Sequence, residues 1–128
     1  MLTAAKIHHV AIIVSDYQRS KRFYTETLGL EIIAEAYRAE RQSYKLDLKV
    51  GDGQLELFSF PETPARLTRP EACGLRHLAF SVKDVPAFID ALRGRGVPVE
   101  DMRIDEYTGK KFTFFRDPDD LPLEVYED

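Results

Sequence analysis

One phrase occurs twice in this chain. His9-Val10-Ala11-Ile12-Ile13-Val14-Ser15-Asp16 returns as His77-Leu78-Ala79-Phe80-Ser81-Val82-Lys83-Asp84. Leu55-Glu56-Leu57-Phe58 returns as Leu123-Glu124-Val125-Tyr126. Both matches share one displacement of 68 residues, from 9 to 77 and from 56 to 124. One displacement at two distant places marks a tandem duplication, so the chain must fold as two copies of one unit. With 128 residues in all, the copies are expected to share one domain over residues 5–127. Module 1 covers about 6–60, a joining segment 61–73, and module 2 about 74–127. The joining segment, "PETPARLTRPEAC", holds three prolines and mixed polarity, which suits a loop.

Each copy carries the same order of signals. After the first strand, Asp16 is placed to cap a helix through "YQRSKRFYTETLG", with Phe23, Tyr24 and Leu28 on one face and Gly29 as the stop. Asp84 does the same for "VPAFIDALRGRG", where Pro86 suits the first turn and Phe88, Ile89 and Leu92 form the stripe. Three strands follow in each copy, at about 30–38, 43–50 and 54–60, and at about 98–104, 111–116 and 121–127. "VGDGQ" is a hairpin turn signal. The expected fold is α+β, with tandem βαβββ modules forming curved mixed half-barrel sheets.

Strand alternation then sorts the side chains. Val10, Ile12 and Val14 share a packing face, and His9, Ala11, Ile13 and Ser15 share the other. In the repeat, Leu78, Phe80 and Val82 oppose His77, Ala79 and Ser81. Glu56 and Phe58 oppose Leu55 and Leu57, and Glu124 and Tyr126 oppose Leu123 and Val125. A mid-strand carboxylate facing water is unremarkable alone, and so is a histidine at a strand end. Two of each, related by one displacement and aimed at one face, form a two-nitrogen, two-oxygen set that suits a divalent transition metal. His8, by alternation, belongs to the packing face or strand edge and is not expected to be a ligand. Lys110 and Lys111 are either solvated strand-end charges or an anion-binding hook at the rim. Phe58, Phe60, Phe112 or Phe114, and Tyr126 supply an aromatic lining for a small substrate.

Composition excludes several classes. Net charge is −4, which argues against a nucleic-acid partner. Cys73 is the single cysteine, so an internal disulfide framework or a cysteine-rich zinc site is excluded. Hydrophobic residues make up 44%, but no run approaches a membrane span of about 20 residues. The N-terminal "MLTAAKIHH" has no long apolar stretch, so a cytoplasmic location is expected.

The paired βαβββ units, the His9, Glu56, His77, Glu124 set and "FFRDPDDLPLEVYE" together resemble the vicinal oxygen chelate superfamily, and within it the small glyoxalase I-like proteins. The resemblance spans nearly the whole chain. It implies that His9, Glu56, His77 and Glu124 hold one divalent ion, foremost nickel, zinc or cobalt, with manganese or iron as alternatives. It implies a homodimer and a lyase or isomerase that moves a proton between adjacent carbons of a small oxygen-chelating substrate through an enediolate. Glu124 is the first choice for the proton-transfer base, and Glu56 the second. Relatives of that type usually have an arginine where this chain has Ile13, an asparagine at Phe60, an arginine near Cys73 and a glycine at Asp120, while Lys110 matches a frequent glutathione-side lysine. The metal set is intact and most glutathione contacts are missing. The alternatives are another metalloenzyme of the superfamily, such as an epimerase, thiol transferase or dioxygenase, or a metal-free drug-binding protein.

Overall fold

The computed structural model describes residues 2–128. Contacts divide the chain into two compact units that meet between Ala65 and Arg66, inside the proline-bearing joining segment. Each unit is built on one four-stranded mixed sheet. Among the described residues, no helix is long and apolar enough to cross a membrane.

The first unit opens with β1 (His9–Val14), followed by α1 (Tyr17–Arg22). Asp16 caps the helix as its sequence position suggests, its carboxylate accepting from Arg19 N at 3.1 Å. The expected single helix through Leu28 does not continue as one geometry. From Phe23 to Thr27 it widens into a π-turn, closed by Leu28 N donating to Phe23 O at 2.9 Å. Thr25 supplies a reason: its hydroxyl donates to Lys21 O at 2.7 Å and competes for the carbonyl that an α-turn would use. Gly29 then takes φ +74°, which ends the helix at little steric cost.

Strands β2 (Glu31–Arg38), β3 (Ser43–Val50) and β4 (Gly53–Ser59) complete the unit. The sheet order is β1-β4-β3-β2, with β1 parallel to β4 and the other pairs antiparallel. Ile12, Val14, Leu46, Leu48, Leu55 and Leu57 are buried on one face together with Tyr24. Each such side chain contributes about 1.5–3 kcal/mol of transfer free energy. Burial of this face leaves the opposite one to polar and aromatic side chains, because a strand's period is two.

The second unit repeats the plan with β5 (Leu78–Val82), α2 (Val85–Gly94), β6 (Arg103–Ile104), β7 (Lys111–Arg116) and β8 (Pro122–Glu127), in sheet order β5-β8-β7-β6. Asp84 caps α2 by accepting from Ala87 N at 3.0 Å. Val85, Ile89 and Leu92 are buried on its inner side, and Phe88 lies beside Phe115 on β7.

One expected strand is corrected. Residues 98–104 pair as a strand only at Arg103–Ile104, preceded by an isolated bridge between Val99 and Phe115. Pro98 has no N–H to give to a ladder. The Thr113 hydroxyl donates to Glu100 O at 2.7 Å, so a side chain replaces a ladder bond there. The "DPDD" turn behaves as its residues suggest. Asp117 Oδ1 accepts from Asp119 N and Leu121 N, and Asp120 sits at φ 65°, a conformation aspartate tolerates better than most residues. Cys73 is an exposed residue of the joining segment.

Candidate metal centre

In the first unit, register decides which side chains share the polar face. Ala11 on β1, Glu56 on β4 and Asp47 on β3 stand abreast. Two residues along, Ile13, Phe58 and Lys45 stand abreast in the same way. His9 lies at the near end of this face, its Nδ1 3.5 Å from Glu56 Oε2. Glu56 is only 7% exposed, and a buried carboxylate needs compensation. His9 supplies part of it and Lys45 the rest, with Nζ 3.7 Å from Glu56 Oε1. The same ammonium lies 2.6 Å from Asp47 Oδ1. His8 does not join the carboxylate. Its Nδ1 meets His9 Nδ1 at 3.0 Å, with the two rings edge to face.

In the second unit the corresponding pair is His77 and Glu124, with Nε2 3.4 Å from Oε1. His77 immediately precedes β5, and its ring meets the edge of Phe114 at 5.1 Å between centres. Phe114 stands abreast of Glu124, and Phe112 abreast of Tyr126. Positions that carry Asp47 and Lys45 in the first unit therefore carry Phe114 and Phe112 in the second. The Arg103 guanidinium lies 5.1 Å from the Phe112 ring and 5.3 Å from Phe114. The Tyr126 hydroxyl donates to Asp105 Oδ2 at 2.8 Å and also meets Thr108 Oγ1. The Tyr126 bond, and next the backbone N–H of Tyr107, hold the Asp105 carboxyl below its ordinary value.

These pairs fit a divalent ion in donor type and in spacing. Two neighbouring ligands on one ion at bond lengths of about 2.0–2.2 Å lie about 2.8–3.1 Å apart in octahedral geometry and about 3.3–3.6 Å apart in tetrahedral geometry. Separations of 3.5 and 3.4 Å fall within the tetrahedral span. Imidazole nitrogen with carboxylate oxygen is a borderline-to-hard donor set, suited to nickel, cobalt, zinc, manganese or iron. Among the described residues, no three His, Cys, Asp or Glu side chains form a group that could hold a metal. The structure pairs His9 with Glu56 in the first unit and His77 with Glu124 in the second.

The remaining site residues read from the sequence divide in two groups. Phe58 and Phe60 lie nearly parallel at 6.5 Å between ring centres, and Phe112, Phe114 and Tyr126 form one cluster. Lys110 lies in the turn before β7, its N–H donating to Thr108 Oγ1. Lys111 has the parity of Thr113 and Phe115, both buried on the packing side, so it is not on the face of Phe112 and Phe114. Sequence reading overlooked Lys45, Asp47, Arg38, Arg103 and Asp105. The signal for Lys45 and Asp47 was present. Pairing Val50 with Gly53 across the "VGDGQ" turn sets Asp47 opposite Glu56.

Comparison with known proteins agrees with this architecture. Residues 6–125 match the model of the glyoxalase/bleomycin resistance protein/dioxygenase superfamily. The chain is 57% identical to the uncharacterized protein YwkD of Bacillus subtilis (strain 168) over 122 residues, covering 94% of this chain and 95% of that one. The crystal structure of SMU.1112c superposes with a TM-score of 0.95 at 51% identity, over 98% of this chain and all of the other. Further away, a 2-epi-5-epi-valiolone epimerase of Actinomyces sp is 30% identical over 95% of this chain and 79% of its own. The trypanothione-dependent glyoxalase I of Leishmania major is 27% identical with a TM-score of 0.75, over 97% of this chain and 87% of its own. A duplicated βαβββ chain matched over nearly its full length to these proteins belongs to the glyoxalase/bleomycin resistance protein/dioxygenase superfamily.

Proposed function

We propose that this chain is a divalent-metal-dependent lyase or isomerase of the glyoxalase I type, acting on a small molecule with two neighbouring oxygens. The observation that supports it is the repeated pair: His9 with Glu56 and His77 with Glu124, each at a nitrogen–oxygen separation suited to two ligands of one ion. Proteins of this superfamily typically bind a divalent metal, and distant relatives bear the names of an epimerase and a glyoxalase I. In this reading the four residues hold one ion, and the protein is a homodimer.

An ion held by these residues would supply Lewis acidity, stabilising negative charge on a substrate oxygen. The chain's own residues do the rest. His9 and His77 are fixed donors. Glu56 is tied down by Lys45 as well as His9, so it stays in place. Glu124, whose ion-pair partner among the described residues is His77 alone, is the carboxylate that takes a proton from one substrate carbon and returns it to the next. Phe112, Phe114 and Tyr126 exclude water from that carboxylate, with Phe58, Phe60 and Lys110 lining the rest of the site. Ile13 is 59% exposed beside Phe58. Ile13 itself offers no charge to a glutathione carboxylate, so the substrate need not be a thiol adduct.

The test is metal-dependent exchange of substrate carbon-bound hydrogen. The chain is loaded separately with nickel, zinc, cobalt, manganese and iron, then mixed in D2O with small α-hydroxycarbonyl compounds and with the methylglyoxal–glutathione hemithioacetal. Deuterium should appear at the carbon beside the carbonyl with at least one ion, and not in the metal-stripped protein. Absence of both exchange and isomerised product with every ion would remove the proton-transfer reading; product without exchange would not, because a shielded carboxylate can return the same proton. Absence of metal uptake would point instead to a binding protein.

A further inference from the structure

The two polar sheet faces have diverged in charge. The second unit's face is aromatic and its Arg103 is paired with Glu100 at 3.3 Å. The first unit's face carries Lys45 and Arg38, and these differ in an instructive way. Lys45 is spent, lying between Asp47 and Glu56. Arg38 has no carboxylate partner among the described residues. Its Nη2 donates to Ser43 Oγ at 2.8 Å, while its Nε is out of reach of solvent and has no hydrogen-bond partner. The guanidinium lies 5.0 Å from the centre of the Phe58 ring, and Lys45 Nζ lies 5.9 Å from the same ring.

A buried donor without a partner is costly, and natural sites rarely keep one without a use. A guanidinium offers a planar fork matched to a carboxylate or phosphate, and only one donor of this fork is engaged. Closing the β2–β3 turn does not account for it, because the bond to Ser43 serves that purpose by itself. The Phe58 ring lies against the guanidinium, and an apolar neighbour there strengthens any charge-assisted bond formed beside it.

We propose that Arg38, with Ser43 and Phe58, is an anion subsite that takes the carboxylate or phosphate group of a small molecule. Phe58 follows Glu56 by two residues, a rise of about 7 Å along a strand. A ligand reaching from one to the other is therefore short, with an oxyanion at one end and its reacting oxygens at the other. This deepens the metal-enzyme reading by naming the substrate class, but its binding test needs no metal.

The Arg38 Nε–Hε resonance of the wild type, and the Ser43 and Phe58 backbone amide resonances of the wild type and both variants, are followed in the 15N-labelled, metal-stripped full chain while inorganic phosphate or lactate is added. A saturable shift is expected with at least one of them, weakened at least tenfold in Arg38→Met. Arg38→Lys keeps the charge without the fork and should bind in between. It also serves if the methionine variant fails to fold. Saturation by phosphate alone assigns a phosphate ester, and by lactate alone a carboxylic acid. A shift that never saturates with either, or equal binding by wild type and both variants, overturns the subsite. Metal uptake measured in parallel separates the two readings. Loss of anion binding with intact metal uptake sinks the subsite alone, and the converse sinks the metal reading alone.

Discussion

Lys45 stands between two carboxylates that occupy directly opposed positions on neighbouring strands, Asp47 on β3 and Glu56 on β4. Like charges directly opposed across a ladder repel, and removing the shared cation leaves both in a largely buried setting. Lys45→Met should therefore lower stability by about 1–3 kcal/mol. It should also increase the gain in Tm on adding nickel or zinc, because an ion at Glu56 then relieves a repulsion that the wild type has already neutralised. Thermal melts with and without metal measure both. An unchanged Tm for the metal-free variant would mean that Lys45 is dispensable to the pair.

A second network lies around Glu35. It accepts from Lys21 Nζ at 2.7 Å and from the Tyr17 hydroxyl, while the Tyr17 ring stacks on Tyr44. The Lys21 bond, then the Tyr17 bond, hold the Glu35 carboxyl below its ordinary value of 4.5. Burial, then the Glu35 hydrogen bond, push the Tyr17 phenol upward from 10.0. A depressed carboxyl contributes stability that is present above its unfolded value and is lost as pH falls through the folded one. A raised phenol contributes stability that is present below its unfolded value and is lost as pH rises toward the folded one. Urea titrations should show wild type losing stability below about pH 4.5 more steeply than Glu35→Gln. Above about pH 10 it should lose stability more steeply than Tyr17→Phe. Parallel curves at both ends would show that the network is not coupled to folding.

Removal of single histidines separates ligands from neighbours. His8 touches His9 but neither glutamate ion pair includes it. His9→Ala and His77→Ala should each abolish the thermal shift produced by metal, while His8→Ala keeps it. Ligand at a hundredfold its Kd stabilises a fold by about 2.7 kcal/mol, so the shift is easily read. Equal shifts in all three variants would place the metal elsewhere.

How much of this was visible in the residues follows from what each feature depends on. The internal repeat and the parity of short strands located His9, Glu56, His77 and Glu124 on two equivalent faces, since period-two alternation is set locally. Both helix caps, at Asp16 and Asp84, follow from one side chain and an N–H three residues on. Three features were not legible. The π-turn after Arg22 depends on Thr25 bonding backward to Lys21. The shortened β6 depends on Thr113 reaching Glu100 from another strand. Arg38 stands opposite Ser43, which shares the parity of Lys45 and Asp47, so pairing puts it on the face, but its reach over Phe58, twenty residues away in sequence, depends on the side-chain conformation.

The two glutamates, equivalent by duplication, should fail in different ways. Glu56 is nearly buried and bridged by Lys45, whereas Glu124 lies among Phe112, Phe114 and Tyr126 with His77 as its partner. A carboxylate that must leave its position to carry a proton cannot also be pinned by an ammonium. Glu124→Gln should keep the metal through the three other donors and lower kcat by about 10²–10⁴, the usual contribution of a positioned base. Glu56→Gln should weaken metal affinity by more than about tenfold, with kcat per bound ion much less affected. Metal content by elemental analysis, paired with turnover of whichever substrate shows exchange, separates the two. If Glu56→Gln retains full metal but loses turnover, the roles are reversed, and the ammonium of Lys45 then serves to tune the base instead of anchoring a ligand.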